Sequence, residues 1–349
     1  MLKIFNKIIK KINAKNSPIF ILDNNDDFLI FNHNNFYHSK SIEIKNKFYQ
    51  HADIFLLLNF EKATTIYTIL NLKLGSTIED FDNHLFNLLW LKLNEFRNRS
   101  AAKMKVKDSE LVLYNATVKK IIVDNKVVEN LNDCLNKKVM IEMQVTFITR
   151  KLLPLVLELK ENFNRLFIFE NGAVLTSLLD KFYNIVLVTQ NQTLVYKFEN
   201  NNLFFGGILT NSYNKLINNI QELLGVNNQI ADLILQKSIS MVFSERVNKV
   251  FNNLWSQWFK EIFVSIKNSK LLVDGSKYKI FFNHAIPKHL ALKVFKTSFV
   301  DLSNIYLPNS LQLKYENPIL EAAIIENETK NNYDNINKLI QRRIKWLTP

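Results

Sequence analysis

The side chains able to do acid–base, nucleophilic or metal chemistry are few in this chain, and their spacing does not bring them together. His284 and His289 are five positions apart, one at a strand end and the other on a helix. His33 and His38 fall in a polar stretch that reads as loop. A metal centre needs further ligands at characteristic spacing, and none accompanies these histidines. Ser, His and Asp are scattered without the strand–turn–helix setting of a nucleophile. Asp26-Asp27 reads as a solvated pair, and Cys134 is the only cysteine. Loops that cradle phosphate depend on glycine, because backbone N–H groups must approach the ligand without a Cβ in the way. The chain has six glycines, Gly75, Gly172, Gly206, Gly207, Gly225 and Gly275. Only Gly206-Gly207 are adjacent, and their apolar surroundings read as a hairpin turn. No cofactor, metal or small-molecule substrate is expected.

The pattern that does imply a chemistry lies at the two ends. At about 100° per residue, Leu2, Ile4, Phe5, Ile8, Ile9 and Ile12 share one arc, with Lys3, Asn6, Lys7, Lys10, Lys11 and Asn13 opposite. Near the other end Ile336, Leu339, Ile340, Ile344, Trp346 and Leu347 share a face. Opposite them lie Asn337, Lys338, Gln341, Arg342 and Lys345, with Arg343 alone intruding. Apolar and aromatic residues facing Lys and Arg suit the headgroup boundary of an anionic bilayer. The alternative is that each end packs its apolar face on the body. Neither is long or apolar enough to span a bilayer.

With 349 residues, the chain can bury a sizeable core in two domains or more. Its 47% hydrophobic and 22% charged content is ordinary for a folded protein. Part of the net charge of +13 follows an Asn-, Lys-, Ile- and Phe-rich bias of the kind an AT-rich genome produces. The rest favours an anionic partner. Nucleic acid is the weaker candidate, since no zinc spacing, RNA-binding aromatic motif or long Arg run is present. A single cysteine excludes an internal disulfide framework and fits a reducing compartment. The charged N-terminus is not a secretory signal. The cytoplasmic face of a membrane is the expected address.

Between the ends, Ile19–Leu22, Phe28–Phe31, Ile54–Phe60 and Thr64–Leu72 read as strands. Ser76/Thr77 cap a helix running to about Lys103, with Phe81, Leu85, Leu88, Leu89 and Phe96 on its apolar face. Strands at Leu111–Val123 and Val139–Thr149, a helix at Arg150–Phe163, a strand at Arg165–Phe169 and a short helix at Ala173–Lys181 follow. From Asn184 the pattern resets: Ile185–Val188, Thr193–Phe198 and Leu203–Leu209 form a three-strand meander. Helices follow at about Tyr213–Leu224, Gln229–Gln236 and Glu245–Lys267, the last carrying the aromatic face Phe251, Leu254, Trp255, Trp258, Phe259 and Phe263, read as core or interface. A buried strand, Tyr278–Phe282, precedes helices at Pro287–Phe299 and Asn317–Glu328, then a polar linker. No tandem repeat is present. What recurs is a meander followed by helices, near residue 18 and again near residue 184.

That duplicated layout resembles the actin-like ATPase folds, and the order of pieces resembles the bacterial cell-division protein FtsA family in particular. The stretch Gly75–Thr149, with Ile78-Glu79-Asp80 opening its helix and strands through Val118–Asn125 and Met140–Thr149, is similar to the small helix-plus-sheet (SHS2-like) insert of that family. Leu152–Phe163 and Leu166–Phe169 fit its return to the first half. Tyr183–Thr210, Ile230–Leu233, and Asn317-Pro318 before Ala322-Ala323 are similar to its second half, and the tail with Trp346 to its membrane-targeting end. The resemblance implies an α/β, actin-like (ribonuclease H-like) chain with duplicated domains. It divides into 1–15, a basic amphipathic helix; 16–74, the first actin-like part; 75–149, the insert; 150–182, the return; 183–328, the second actin-like subdomain; and 329–349, linker and C-terminal amphipathic helix.

The departures decide what function the resemblance implies. Where the family's phosphate loops belong, the chain reads Leu22–Phe28 and Val188–Thr193. Its later Gly-Gly is Asn211-Ser212, and its adenosine loop is Phe282–Pro287. Asp23 could be a remnant of the metal-region carboxylate but reads better as a turn residue beside Asn24. Between Leu235 and Glu245 there is no room for the outer subdomain that contributes to binding the tubulin-like partner. The expectation is therefore a non-enzymatic, peripheral membrane scaffold of cell division or envelope organisation, with an anionic membrane surface, divisome components or further copies of itself as partners. The alternatives are the actin-like component of type IV pilus assembly, which lacks an obvious amphipathic tail, and a basic nucleic-acid-binding protein.

Overall fold

The computed structural model describes residues 19–22, 27–32, 35–40, 53–73, 78–129, 134–162, 165–179, 181–272, 276–301, 318–328, 333, 336–338 and 340. They divide between two compact units: Met1–Val174, Glu199–Phe205 and Ile325–Pro349 in the first, Leu175–Phe198 and Gly206–Ile324 in the second.

In the first unit, β1 (Ile19–Leu22), β2 (Asp27–Asn32) and β3 (Asn35–Lys40) form an antiparallel meander, and β4 (Asp53–Leu58) and β9 (Arg165–Glu170) extend it in parallel. The strand order is β3-β2-β1-β4-β9. β3 corrects the sequence reading: His38 pairs with Leu29 within a strand, where a polar loop was expected. An edge strand can carry polar residues such as those of Asn35–Lys40, which blurs the apolar signal. His33 lies outside the described residues.

A second sheet of this unit packs on one long helix, α1 (Ile78–Met104). Its strands are β5 (Ala63–Lys73), β6 (Leu111–Val123), the short β7 (Lys126–Val127) and β8 (Lys138–Thr149). β8 pairs antiparallel with both β5 and β6. Strand side chains alternate faces, so a thirteen-residue strand must hold its phase or correct it. β6 corrects it twice. Leu111 and Leu113 are buried, then Ala116 and Val118, then Ile121 and Val123, and each change of phase falls at an irregularity in its pairing with β8. Leu85, Leu89, Leu93 and Phe96 of α1 meet this face in one core, which also encloses Cys134. A smaller core lies between α2 (Leu153–Asn162), β4 and β9, around Leu56, Leu58, Val156, Leu159 and Ile168.

The second unit repeats the strand scheme. β10 (Asn184–Val188) pairs antiparallel with β11 (Thr193–Glu199), which neighbours β12 (Asn202–Leu209); on its other side β10 pairs parallel with β13 (Tyr278–Phe282). Ile280 adds a parallel bridge to Phe299. A meander whose first strand is continued by parallel strands thus occurs twice. The first four residues of β12 belong with the first unit, where Asn202 and Leu203 pair with Thr68 and Tyr67 of β5.

Gly206-Gly207 lies inside β12, not in the expected turn. A Cβ on Gly206 would come within 2.8 Å of the Lys197 side chain, and one on Gly207 within 2.8 Å of Leu271, so the pair answers to close packing. Over this sheet lie α3 (Tyr213–Leu224), α4 (Asn228–Ile239), α5 (Glu245–Asn268) and α6 (Lys288–Phe295). α3 stops at Gly225, which takes the left-handed conformation, and Asn227 caps α4 by accepting from the Ile230 N–H at 3.0 Å. The aromatic face of α5 is core: Phe251, Trp255, Trp258 and Phe259 are buried and Leu254 packs beside them, while Phe263 stays partly exposed. A further helix, α7, spans Pro318–Glu328. Among the described residues no helix is long and apolar enough to cross a membrane.

Candidate functional site

Three of the four loop positions that the resemblance marks converge in the second unit, around the N-terminus of α3. The first turn of a helix offers unpaired N–H groups, which makes it a ready seat for phosphate. Here the seat is filled. The Tyr213 N–H donates to the Thr189 carbonyl at 3.2 Å and the Asn214 N–H to the Gln190 carbonyl at 2.9 Å. Side chains tie the same loop down: the Gln190 amide donates to Asn214 Oδ1 at 2.7 Å, and the Asn214 amide to Asn191 Oδ1 at 2.7 Å. The Thr189 hydroxyl donates to the Gln192 carbonyl at 2.7 Å, and the Thr193 hydroxyl donates to the Asn211 carbonyl.

Asn211 is buried and anchored on α5. Its amide donates to the Glu261 carbonyl at 3.0 Å, and its Oδ1 accepts from Lys215 Nζ at 3.0 Å. Lys215 also pairs with the Glu261 carboxylate at 3.0 Å, so this cation is committed within the protein. The neighbouring Ser212 carbonyl accepts from the Trp258 indole at 3.0 Å.

The third loop, Asn283–Pro287, follows β13 and is tied to β10 where the Asn283 N–H donates to the Val188 carbonyl at 2.9 Å. It turns His284 inward. The imidazole lies on Tyr213 with ring centroids 4.0 Å apart, and Trp258 and Phe282 complete its aromatic surround at 6.3 and 6.4 Å. Neither ring nitrogen has a hydrogen-bond partner among the described residues. Burial pushes its pKa down to about 3, because charging a ring in apolar surroundings is costly. Tyr213 is held from the other side by its hydroxyl, which donates to Asp232 at 3.0 Å; burial and that carboxylate push its own pKa up. His289, a residue further along on α6, does not join His284 in a ligand set, and no group of metal-binding type forms among the described residues. Of the fourth loop, Leu22 and Phe28 pair across β1 and β2, and residues 23–26, with Asp23 and Asp26, lie outside the described residues.

A carboxylate that the sequence did not single out lies at the end of β9. Glu170 is fully buried, accepts from the Thr65 N–H at 3.2 Å, and donates its own N–H to the Thr65 hydroxyl at 3.1 Å. Thr65 and Thr146 share a further hydroxyl contact at 3.1 Å. An acidic residue closing the apolar run Leu166–Phe169 was the only available signal.

The terminal segments divide differently from expectation. Leu2, Phe5, Lys7, Ile8, Ile9, Lys10, Lys11 and Ile12 lie outside the described residues, as do Leu339, Arg342, Ile344, Lys345, Trp346 and Leu347. Ile336 and Ile340, expected to face lipid, are buried in the core of α1, β5, β6 and β8, together with Tyr333. In this structure they take packing positions, as the alternative reading of the pattern has it, whereas Lys338 remains exposed. Asn337, on the polar side of the pattern, presents its amide to the outer edge of β6. Its Oδ1 accepts from the Val118 N–H at 2.7 Å and its amide donates to the Val118 carbonyl at 3.4 Å.

No family model and no curated protein matches this sequence. Several solved structures are similar to it in fold. A type IV pilus biogenesis complex of PilM and PilN is 10% identical, with 90% of this chain and 97% of that one covered at a TM-score of 0.46. A Bacteroides thetaiotaomicron protein described as having an actin-like ATPase fold and unknown function is 9% identical, with 90% and 97% covered at 0.34. The cytoplasmic domain of EpsL, an inner-membrane component of the type II secretion system of Vibrio cholerae, is 8% identical, with 91% and 98% covered at 0.34.

Proposed function

We propose that this chain is a non-enzymatic, actin-like scaffold held at the cytoplasmic face of a membrane, serving cell division or envelope organisation. The observation that carries the membrane part is the separation of Leu2, Ile4, Phe5, Ile8, Ile9 and Ile12 from Lys3, Lys7, Lys10 and Lys11 on one short helical pattern. Supporting the scaffold part, the helix N-terminus at Tyr213-Asn214 is occupied by the chain's own carbonyls, and His284 fills the space beside Tyr213. The strand scheme repeated around β1 and β10 agrees with the duplicated layout implied by the FtsA-like order of elements. Weak lipid binding by a short helix becomes firm when two act on one body, through effective concentration.

Co-sedimentation with vesicles tests the reading. The full chain should pellet with anionic vesicles and far less with neutral ones, and removing residues 1–13 together with 341–349 should abolish this. Undiminished pelleting of the doubly truncated chain would refute the membrane role. Equal, salt-sensitive affinity for DNA or RNA would favour the nucleic-acid alternative.

A further inference from the structure

The outer edge of β6 shows how the C-terminal segment works. β7 pairs with Ile122 and Val123, and the Val128 N–H continues to the Ile121 carbonyl at 2.9 Å; among the described residues no strand pairs with Val118 to Lys120 on this edge. An open edge presents unpaired N–H and C=O groups. Here side chains meet the Val118 N–H and C=O and the Ile121 N–H. Asn337 meets both backbone groups of Val118, as one peptide unit meets another. The Tyr333 hydroxyl accepts from the Ile121 N–H at 3.2 Å and donates to the Val128 carbonyl at 2.6 Å. Ahead of this segment, Glu326 on α7 pairs with Lys119, the residue at the β6 irregularity. Ile336 and Ile340 then enter the core beneath.

We propose that this edge is a receptor for the chain's own C-terminal segment, which has a second seat on anionic lipid and cannot occupy both. The inference rests on the membrane reading above. Ile336 and Ile340 belong to the apolar face of the lipid-binding pattern, yet they are buried against α1 and β6. Apolar burial is available in either seat, so polar groups set the balance. Asn337 and Tyr333 hold the docked state. Lys338, exposed while docked, and the basic residues after it favour anionic headgroups. Membrane binding by this end therefore carries the cost of undocking, and a change that weakens docking strengthens lipid binding.

The test uses the full chain with vesicles of equal parts phosphatidylglycerol and phosphatidylcholine. Asn337→Ala removes both contacts to Val118, and Tyr333→Phe keeps the ring but loses the hydroxyl bonds. Each should raise vesicle affinity about five- to tenfold, the equilibrium effect of one or two hydrogen bonds. Hydrogen exchange at the Val118 and Ile121 amides should be slow in the free chain and fast once vesicles are bound. Wild-type vesicle binding with unchanged protection at both amides overturns the two-seat receptor and leaves membrane association standing. Unaltered affinity in both variants does the same. Failure of the wild type and both variants to bind overturns the membrane reading and this proposal together.

Discussion

Tyr213 and His284 face each other with ring centroids 4.0 Å apart, inside a shell that includes Trp258 and Phe282. The pair holds the loop after β13 against the N-terminus of α3. With its pKa near 3, far below the ordinary histidine value, His284 is neutral in the folded chain at every pH above that. The unfolded chain takes up the proton first, so stability contributed by the neutral ring is complete above about pH 6.5 and falls as pH drops toward 3. The loss by pH 5 should be about 2 kcal/mol. His284→Phe, which keeps the ring contact and removes two unsatisfied nitrogens, should be neutral or stabilising at pH 7 by about 1 kcal/mol. Thermal unfolding at pH 7 and pH 5 checks this. Equal acid sensitivity in both proteins would show that other groups dominate.

A second expectation concerns nucleotide. A triphosphate at the N-terminus of α3 would have to displace the Thr189 and Gln190 carbonyls and compete with Glu261 for Lys215. Calorimetry with Mg·ATP should give no heat at submillimolar nucleotide. A saturable signal with micromolar affinity would reverse the non-enzymatic reading and direct attention to Asp23.

How far the sequence carried these conclusions depended on the scale of the signal. The Ile185–Leu209 meander was legible because apolar runs alternate with Asn-rich turns, and Asn200 and Asn201 adopt the left-handed conformation such turns demand. β3 was not, because its polar residues carry the signature of a loop and only pairing with β2 makes them a strand. The Gly206-Gly207 pair was misread because close approach to Lys197 and Leu271 is a tertiary fact. The buried role of Glu170 depends on Thr65, over a hundred positions away, and no local pattern reports such a partner. Amphipathicity at the C-terminal end was plain. The identity of what covers it was not, since a bilayer and the core beneath β6 ask for the same apolar stripe.

Helix α1 gives a direct test of its packing. Leu89 is buried among β6 and β8 residues, whereas Leu91, two positions on, is 68% exposed. Leu89→Asp would place an unpaired charge in that core and should cost at least about 4 kcal/mol, enough to unfold the layer. Leu91→Asp should change stability by no more than about 0.5 kcal/mol. Circular dichroism melts of the two variants distinguish the faces. Equal stability would mean that α1 does not pack as described.

Glu170 offers another. Its carboxylate accepts from the β5 backbone at Thr65 with no solvent access, so removing it strands a buried donor. Glu170→Ala should cost about 2–4 kcal/mol, through the orphaned N–H and the space left behind. Chemical denaturation measures it, and a loss below about 0.5 kcal/mol would show that water or a neighbour takes over the bond.

The two halves of the C-terminal stripe should respond differently to substitution. Ile336 and Ile340 are 5% and 8% exposed within the core of α1, β5, β6 and β8. Truncating either to Ala removes buried methyl groups and should lower the stability of the first unit by about 2–4 kcal/mol. The same change removes apolar area from the lipid seat, so its effect on vesicle binding should be small. Ile344→Glu with Trp346→Glu acts further along the chain, on the part of the amphipathic pattern that the membrane proposal places on lipid. That double variant should keep the wild-type melting temperature and lose anionic-vesicle binding by tenfold or more, since each Glu removes apolar burial and adds repulsion from anionic headgroups. Measuring melting and vesicle co-sedimentation on the same preparations separates the roles. A double variant that melts early but binds vesicles normally would assign 344–347 to the body of the protein and leave residues 2–13 as the membrane contact.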